Sequence, residues 1–72
     1  MATIYTKEHK RLVERLRQAR IEAGLEQTEA GKLLKKTQSY ISKIESGQRR
    51  VDVVQLKKFA KLYKKALDYF IG

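Results

Sequence analysis

The sequence predicts an all-α domain, and three observations support this fold class. Alternating β-branched runs are absent, while good helix formers such as Lys, Gln, Glu, Leu and Ala are abundant. Apolar residues recur at three- and four-residue intervals along most of the chain. Neither proline nor a Gly/Ser-rich linker interrupts it, so we expect a single domain over residues 1–72.

Two helices are expected in the first half of the chain. The first begins after Thr6, its N-cap, and ends at Gly24. The second covers about residues 27–34. The residues expected to face inward are Leu12, Leu16, Ala19 and Ala23 in the first helix and Ala30, Gly31 and Leu34 in the second. Both helices therefore carry an apolar face for a common core.

A third helix is expected from its N-cap Thr37 to Ser46, with Gly47 ending it. Ile41 and Ile44 lie three residues apart and form its inward pair. The third helix is short and is joined to the second by only a few residues.

A fourth helix opens at Asp52, which forms a capping-box pattern with Gln55. Two apolar stripes follow at three- and four-residue spacing. The first contains Val53, Leu56, Ala60, Tyr63, Leu67 and Phe70, and the second contains Phe59, Leu62, Ala66 and Tyr69. One stripe can cover the core, which leaves the other without a partner. No residue from Lys64 to Leu67 is an obvious helix stop, so residues 53–70 form either one bent helix or two helices with a tight corner.

Composition restricts the function classes. Seventeen Lys and Arg against eight Asp and Glu give a net charge of +9, and 42% of the residues are hydrophobic. A folded domain this basic is expected to bind a polyanion, nucleic acid before membrane. With no cysteine and one histidine, we expect no metal and no cofactor. The lack of a long apolar run and of a signal-peptide pattern favours a soluble, cytoplasmic protein.

Two short helices with a brief connection on a basic chain suggest a helix-turn-helix at about residues 27–46. A bulky side chain would push the helices apart where they cross, so Gly31 is expected at their contact. The polar side chains that face outward near the start of the third helix are Gln38, Ser39, Tyr40 and Lys43.

This stretch resembles the lambdoid repressor/Cro type of helix-turn-helix protein, the Xre family. The most specific match is Gln-Ser-Tyr-Ile-Ser-Lys-Ile-Glu at residues 38–45, followed by Ser-Gly-Gln-Arg-Arg at residues 46–50. Parts of residues 16–27 match the family's first helix and turn. The resemblance covers about residues 12–70. It implies a compact bundle of five helices that binds double-stranded DNA, usually as a two-fold homodimer.

The resemblance also implies roles for individual residues. The third helix would enter the major groove and read bases through Gln38, Ser39, Tyr40 and Lys43. The residues implied to contact phosphates are Gln27, Thr37, Arg49 and Arg50. Lys36, which departs from the family pattern, is expected to add a further phosphate contact. In relatives, the amide at the position of Gln27 also braces the first recognition side chain, here Gln38. An Arg20–Glu45 salt bridge would tie the recognition helix to the bundle.

The turn departs from the family pattern, because Lys35 and Lys36 stand where a glycine and an apolar residue are usual. If Lys35 adopts positive φ, the strain is about 1 kcal/mol. Glu26 also replaces the usual Ser or Thr cap of the second helix.

We expect a sequence-specific transcriptional regulator that binds a (pseudo)palindromic operator as a homodimer. Its dimerisation segment is expected at about residues 53–71, with an interface formed by Leu62, Tyr69, Phe70 and Ile71.

The alternative function is an antitoxin-type protein-interaction module whose DNA binding is secondary. A weaker alternative is binding to RNA or membrane by charge alone. A toxin and RNA polymerase are the two candidates for a further protein partner. The sequence shows neither a catalytic nucleophile with its partner residues nor a glycine-rich phosphate-binding loop, so we do not expect an enzyme.

Overall fold

The computed structural model describes residues 7–72, which form five helices and no strand. The helices are α1 (Lys7–Glu22), α2 (Gln27–Leu33), α3 (Gln38–Glu45), α4 (Val53–Tyr63) and α5 (Leu67–Ile71). The all-α prediction is therefore confirmed. The predicted N-cap of the first helix, Thr6, lies outside the described residues.

α1 is the central element of the bundle, since it packs against α3, α4 and α5, while α2 packs mainly on α3. Leu16 of α1 and the pair Ile41 and Ile44 of α3 are almost completely buried, as predicted for these three side chains. The other core side chains are Val13, Ala19, Ala30, Leu56, Phe59, Ala60, Tyr63 and Phe70. This core fixes α3 on α1 and α2, so that one face of α3 remains outside.

The C-terminal segment forms two helices joined by a tight corner at residues 64–66. Lys64 takes a left-handed conformation with φ 58° and ψ 47°. The N–H of Lys65 then donates to the carbonyl of Ala60 over 2.9 Å, which satisfies one of the last carbonyls of α4. A lysine performs the role usually taken by glycine, which is why the sequence contains no obvious stop.

The core takes side chains from both apolar stripes, whereas the sequence predicts that one stripe covers it. Val53 of the first stripe is exposed, and Phe59 of the second stripe is buried. Because α5 turns back onto α1, Phe70 is only 2% exposed and belongs to the core. The expected place of Phe70 in the dimer interface is therefore wrong, because the ring is in the core. Replacing it with Asp would unfold the domain rather than separate two protomers.

Two arginines of α1 secure α5. Arg15 Nη1 donates to the carbonyl of Tyr69 over 2.7 Å, and Arg11 Nη2 donates to the carbonyl of Gly72 over 3.2 Å. The Arg15 guanidinium also lies 5.1 Å from the centroid of the Tyr69 ring. A helix of only five residues is short for independent stability, so these contacts and Phe70 hold it in place.

Candidate nucleic-acid interface

α2 and α3 approach each other closely at Gly31. A Cβ atom built on Gly31 would lie 2.8 Å from the carbonyl oxygen of Thr37 and 3.2 Å from the backbone nitrogen of Gln38. Only a residue without a side chain leaves room for the start of α3. The prediction that Gly31 lies at the helix contact is confirmed.

The turn between these helices is strained at one residue and capped at its end. Lys35 has φ 59°, in the left-handed region that costs a residue other than glycine about 1–2 kcal/mol. The N–H of Lys36 donates to the carbonyl of Gly31 over 2.7 Å, which closes the end of α2. Thr37 is the N-cap of α3, as predicted, because its Oγ1 accepts from the N–H of Tyr40 over 3.1 Å.

The outer face of α3 is polar. Gln38, Ser39 and Lys43 are exposed, and they emerge on the side away from the buried isoleucines. Ser42 shares this face because it follows Gln38 by four residues and Ser39 by three, although it is partly covered. Sequence reasoning missed Ser42, which helical periodicity alone would have placed beside them.

A chain of side-chain hydrogen bonds runs beneath this face. Arg20 binds Glu45 bidentately through one edge of its guanidinium, with Nε 2.7 Å from Oε2 and Nη2 3.2 Å from Oε1. Gln27 Nε2 donates to Glu45 Oε1 over 3.0 Å, and Gln38 Nε2 donates to Gln27 Oε1 over 2.6 Å. The first exposed residue of α3 is thereby linked to α1 and α2.

The ion pair at the base of this chain is largely removed from solvent, with side-chain exposures of 12% for Arg20 and 6% for Glu45. The hydrogen bond to Glu45 raises the pKa of Arg20 above its usual value. Arg20 Nη1 also donates to the carbonyl of Leu25 over 2.8 Å. The guanidinium therefore connects α1, the loop before α2 and the end of α3.

Positive charge flanks α3 at both ends. Lys36 precedes the helix, and Arg49 and Arg50 follow it; all three are exposed. The Arg49 guanidinium carbon lies 5.0 Å and the Lys36 Nζ 5.2 Å from the centroid of the Tyr40 ring. Partial burial raises the pKa of the Tyr40 hydroxyl. This surface can donate hydrogen bonds and attract anions.

A helix-turn-helix family model, HTH_3, matches residues 16–70. The chain belongs to the Xre-type helix-turn-helix family. The matched segment begins in α1 and ends in α5, so it includes both helices of the motif and nearly the whole core. A comparison with curated proteins found no match. The family is one of DNA-binding regulators and is generally non-enzymatic.

The described part of this helix-turn-helix protein contains neither a metal-binding cluster nor a membrane-spanning helix. Within residues 7–72, no three side chains of the His, Asp or Glu type are grouped so that they could hold a metal ion. In the same part of the chain, every helix is too short or too polar to cross a bilayer.

Proposed function

We propose that this protein is a transcriptional regulator that recognises a specific sequence in double-stranded DNA by placing α3 in the major groove. The observation that carries the proposal is that the Gln38 side chain is exposed to solvent and is also held in place by a hydrogen bond. Its amide is accessible at the start of α3 and is also fixed by Gln27. A pre-positioned amide can make a bidentate contact to adenine, with Ser39 and Lys43 addressing neighbouring base edges.

The surrounding groups fit the DNA backbone. Lys36, Arg49 and Arg50 place three cations around α3, and Thr37 lies at its N-terminus. Gln27 is the first residue of α2, where backbone N–H groups and the helix dipole favour an anion. Phosphate contacts from these residues would fix the register of α3, and base contacts would select the sequence.

The binding test compares a duplex selected from a randomised pool with a scrambled duplex over a series of salt concentrations. We expect both affinities to fall with a log–log slope of about −0.9 per neutralised phosphate, while a specificity ratio of at least ~10³ persists. The Gln38→Ala variant should lose roughly 1–3 kcal/mol of that discrimination. Gln18→Ala, in an exposed glutamine of α1, is the matched control. Equal binding of both duplexes would contradict sequence-specific recognition and favour binding by charge alone.

We further propose that two copies pair through the surface around α5, so that two α3 helices address the half-sites of a (pseudo)palindromic operator. Ile71 is 57% exposed, and Tyr69 and Leu62 are partly exposed. A pair of copies would cover this apolar area.

The dimer test uses two exposed isoleucines in different places. Ile71→Asp should convert the protein to a monomer in sedimentation equilibrium, because a charge would be buried in the interface. Ile21→Asp in α1, where the side chain is 52% exposed, should leave the protein a dimer in the same experiment. A dimer that survives Ile71→Asp would contradict this interface.

A further inference from the structure

Tyr40 lies at the edge of the outer face of α3, where the helix meets its two flanking segments. Its ring is half-buried and borders a small groove lined also by Leu34 and Phe59. Lys36, from the turn before α3, and Arg49, from the loop after it, approach the same ring at 5.2 Å and 5.0 Å. Both distances lie within the range of cation–π attraction, which is about 6 Å.

This arrangement organises two charges that would otherwise move independently. Lysine and arginine side chains on a surface have many rotamers, and two nearby cations repel each other. The electron-rich ring attracts both, and so restricts them to one region before any ligand arrives. A phosphate that contacts both cations relieves their repulsion, and it orders side chains that are already partly ordered.

We propose that Tyr40 is a positioning residue whose ring holds Lys36 and Arg49 as one preformed site for DNA backbone phosphate, and that Tyr40 does not read a base. The identity of the ligand rests on the proposed function, whereas the aromatic arrangement does not. The proposal replaces the base-reading role expected for Tyr40. It also assigns the two cations a joint action, where the sequence suggested separate contacts.

The test compares Tyr40→Phe, which keeps the ring, with Tyr40→Leu, which removes it but keeps apolar bulk. With the selected and the scrambled duplex, Tyr40→Phe should bind within about twofold of the parent protein. Tyr40→Leu should lower the affinity for both duplexes alike, by about five- to tenfold. The specificity ratio should stay unchanged, because phosphate contacts carry no sequence information. A Tyr40→Phe variant that loses discrimination at one base pair would show that the hydroxyl reads a base and would overturn the proposal.

A second comparison checks that the ring acts through the two cations. In a Lys36→Ala, Arg49→Ala double variant, adding Tyr40→Leu should cause no further loss of affinity. A further several-fold loss would mean that Tyr40 acts by another route, and the proposal would fail.

A third measurement needs no DNA. Side-chain protons of Lys36 and Arg49 near the ring should show upfield ring-current shifts in the NMR spectrum of the free protein. Tyr40→Phe should retain these shifts, and Tyr40→Leu, if folded by circular dichroism, should lose them. Their absence from the parent protein would overturn the preformed site even if the protein binds DNA specifically. Shifts that are present in a protein unable to discriminate between duplexes would instead count against the proposed function.

Discussion

The side-chain amide of Gln38 donates a 2.6 Å hydrogen bond to the side-chain oxygen of Gln27, which in turn directs its own amide nitrogen at Glu45. Because the Glu45 carboxylate can only accept, the nitrogen of Gln27 must face it and the oxygen must face Gln38. This order fixes which end of the Gln38 amide is used internally. Its carbonyl oxygen and one N–H remain for an external partner.

Replacing Gln27 with Ala should weaken specific DNA binding by about fivefold, which corresponds to the ~1 kcal/mol of one neutral hydrogen bond. Gln38 would then sample other rotamers, and its contact to a base would have to be ordered on binding. The measurement is affinity for the selected and scrambled duplexes, with Thr28→Ala as control at the adjacent exposed position. Unchanged affinity of Gln27→Ala would show that the link does not orient Gln38.

Removing Arg20 should reduce the free energy of unfolding by ~3–5 kcal/mol, because Glu45 would remain buried without its cation. In a domain of this size such a loss approaches the total stability. The control is Glu22→Gln, which breaks the exposed ion pair between Glu22 and Lys65. In that pair Lys65 Nζ lies 2.6 Å from Glu22 Oε1. Denaturant unfolding should find Arg20→Ala strongly destabilised and Glu22→Gln close to the parent protein. Similar values for both variants would contradict the structural role of Arg20.

Gly31→Ala should destabilise the protein by ~1–3 kcal/mol, although alanine is the better helix former. The added methyl group would meet the backbone at Thr37 and push α3 away from α2. Lys32→Ala, at the neighbouring exposed position of α2, should change the melting temperature little. A Gly31→Ala protein as stable as the parent would mean that the two helices can separate without loss.

Lys64→Gly should raise the free energy of unfolding by about 0.5–1 kcal/mol. The left-handed conformation strains a lysine by ~1–2 kcal/mol, and the greater freedom of glycine in the unfolded chain offsets about half of that gain. Lys61→Gly, three residues earlier and inside α4, should instead destabilise by ~1 kcal/mol. Thermal unfolding of the two variants should therefore shift in opposite directions, and a shared direction would contradict the assigned corner.

Tyr63→Phe should stabilise the domain by about 1 kcal/mol. The Tyr63 hydroxyl is buried, and among the described residues it has no hydrogen-bond partner, which carries a desolvation penalty. Burial raises the pKa of Tyr63, so the hydroxyl remains neutral and the gain should persist into mildly alkaline solution. Tyr69→Phe, at a partly exposed ring, should be neutral in the same melting experiment. A less stable Tyr63→Phe protein would show that the hydroxyl has a partner.

Local rules predicted most of the fold. The inward isoleucines follow from helical spacing, and the starts of α3 and α4 follow from Thr37 and Asp52, whose side chains accept the expected backbone N–H groups. The corner after α4 could not be predicted, because its stop is a lysine in the left-handed conformation that glycine usually adopts. The burial of Phe70 depends on that corner, and this is why the expected interface contained a core residue.

The candidate site divides in the same way. The outward position of Gln38 and Ser39 follows from the periodicity of α3. The family resemblance implied the Arg20–Glu45 ion pair and the contact of Gln27 with Gln38, but not the hydrogen bond from Gln27 to Glu45 that joins them. The association of Lys36, Tyr40 and Arg49 was not predicted, because it joins the turn, the helix and the following loop. No spacing rule relates residues on three segments whose relative positions depend on the folded core.

The fastening of α5 onto α1 by Arg11 and Arg15 has a consequence for cooperativity. Since α1 also packs against α3, the position of the outer face of α3 depends on the short helix α5. A truncation after Tyr63 would leave every proposed DNA-contacting side chain present and yet remove Phe70 from beneath α1. Such a fragment should lose its DNA affinity through unfolding, which makes the last five-residue helix as necessary for recognition as α3 itself.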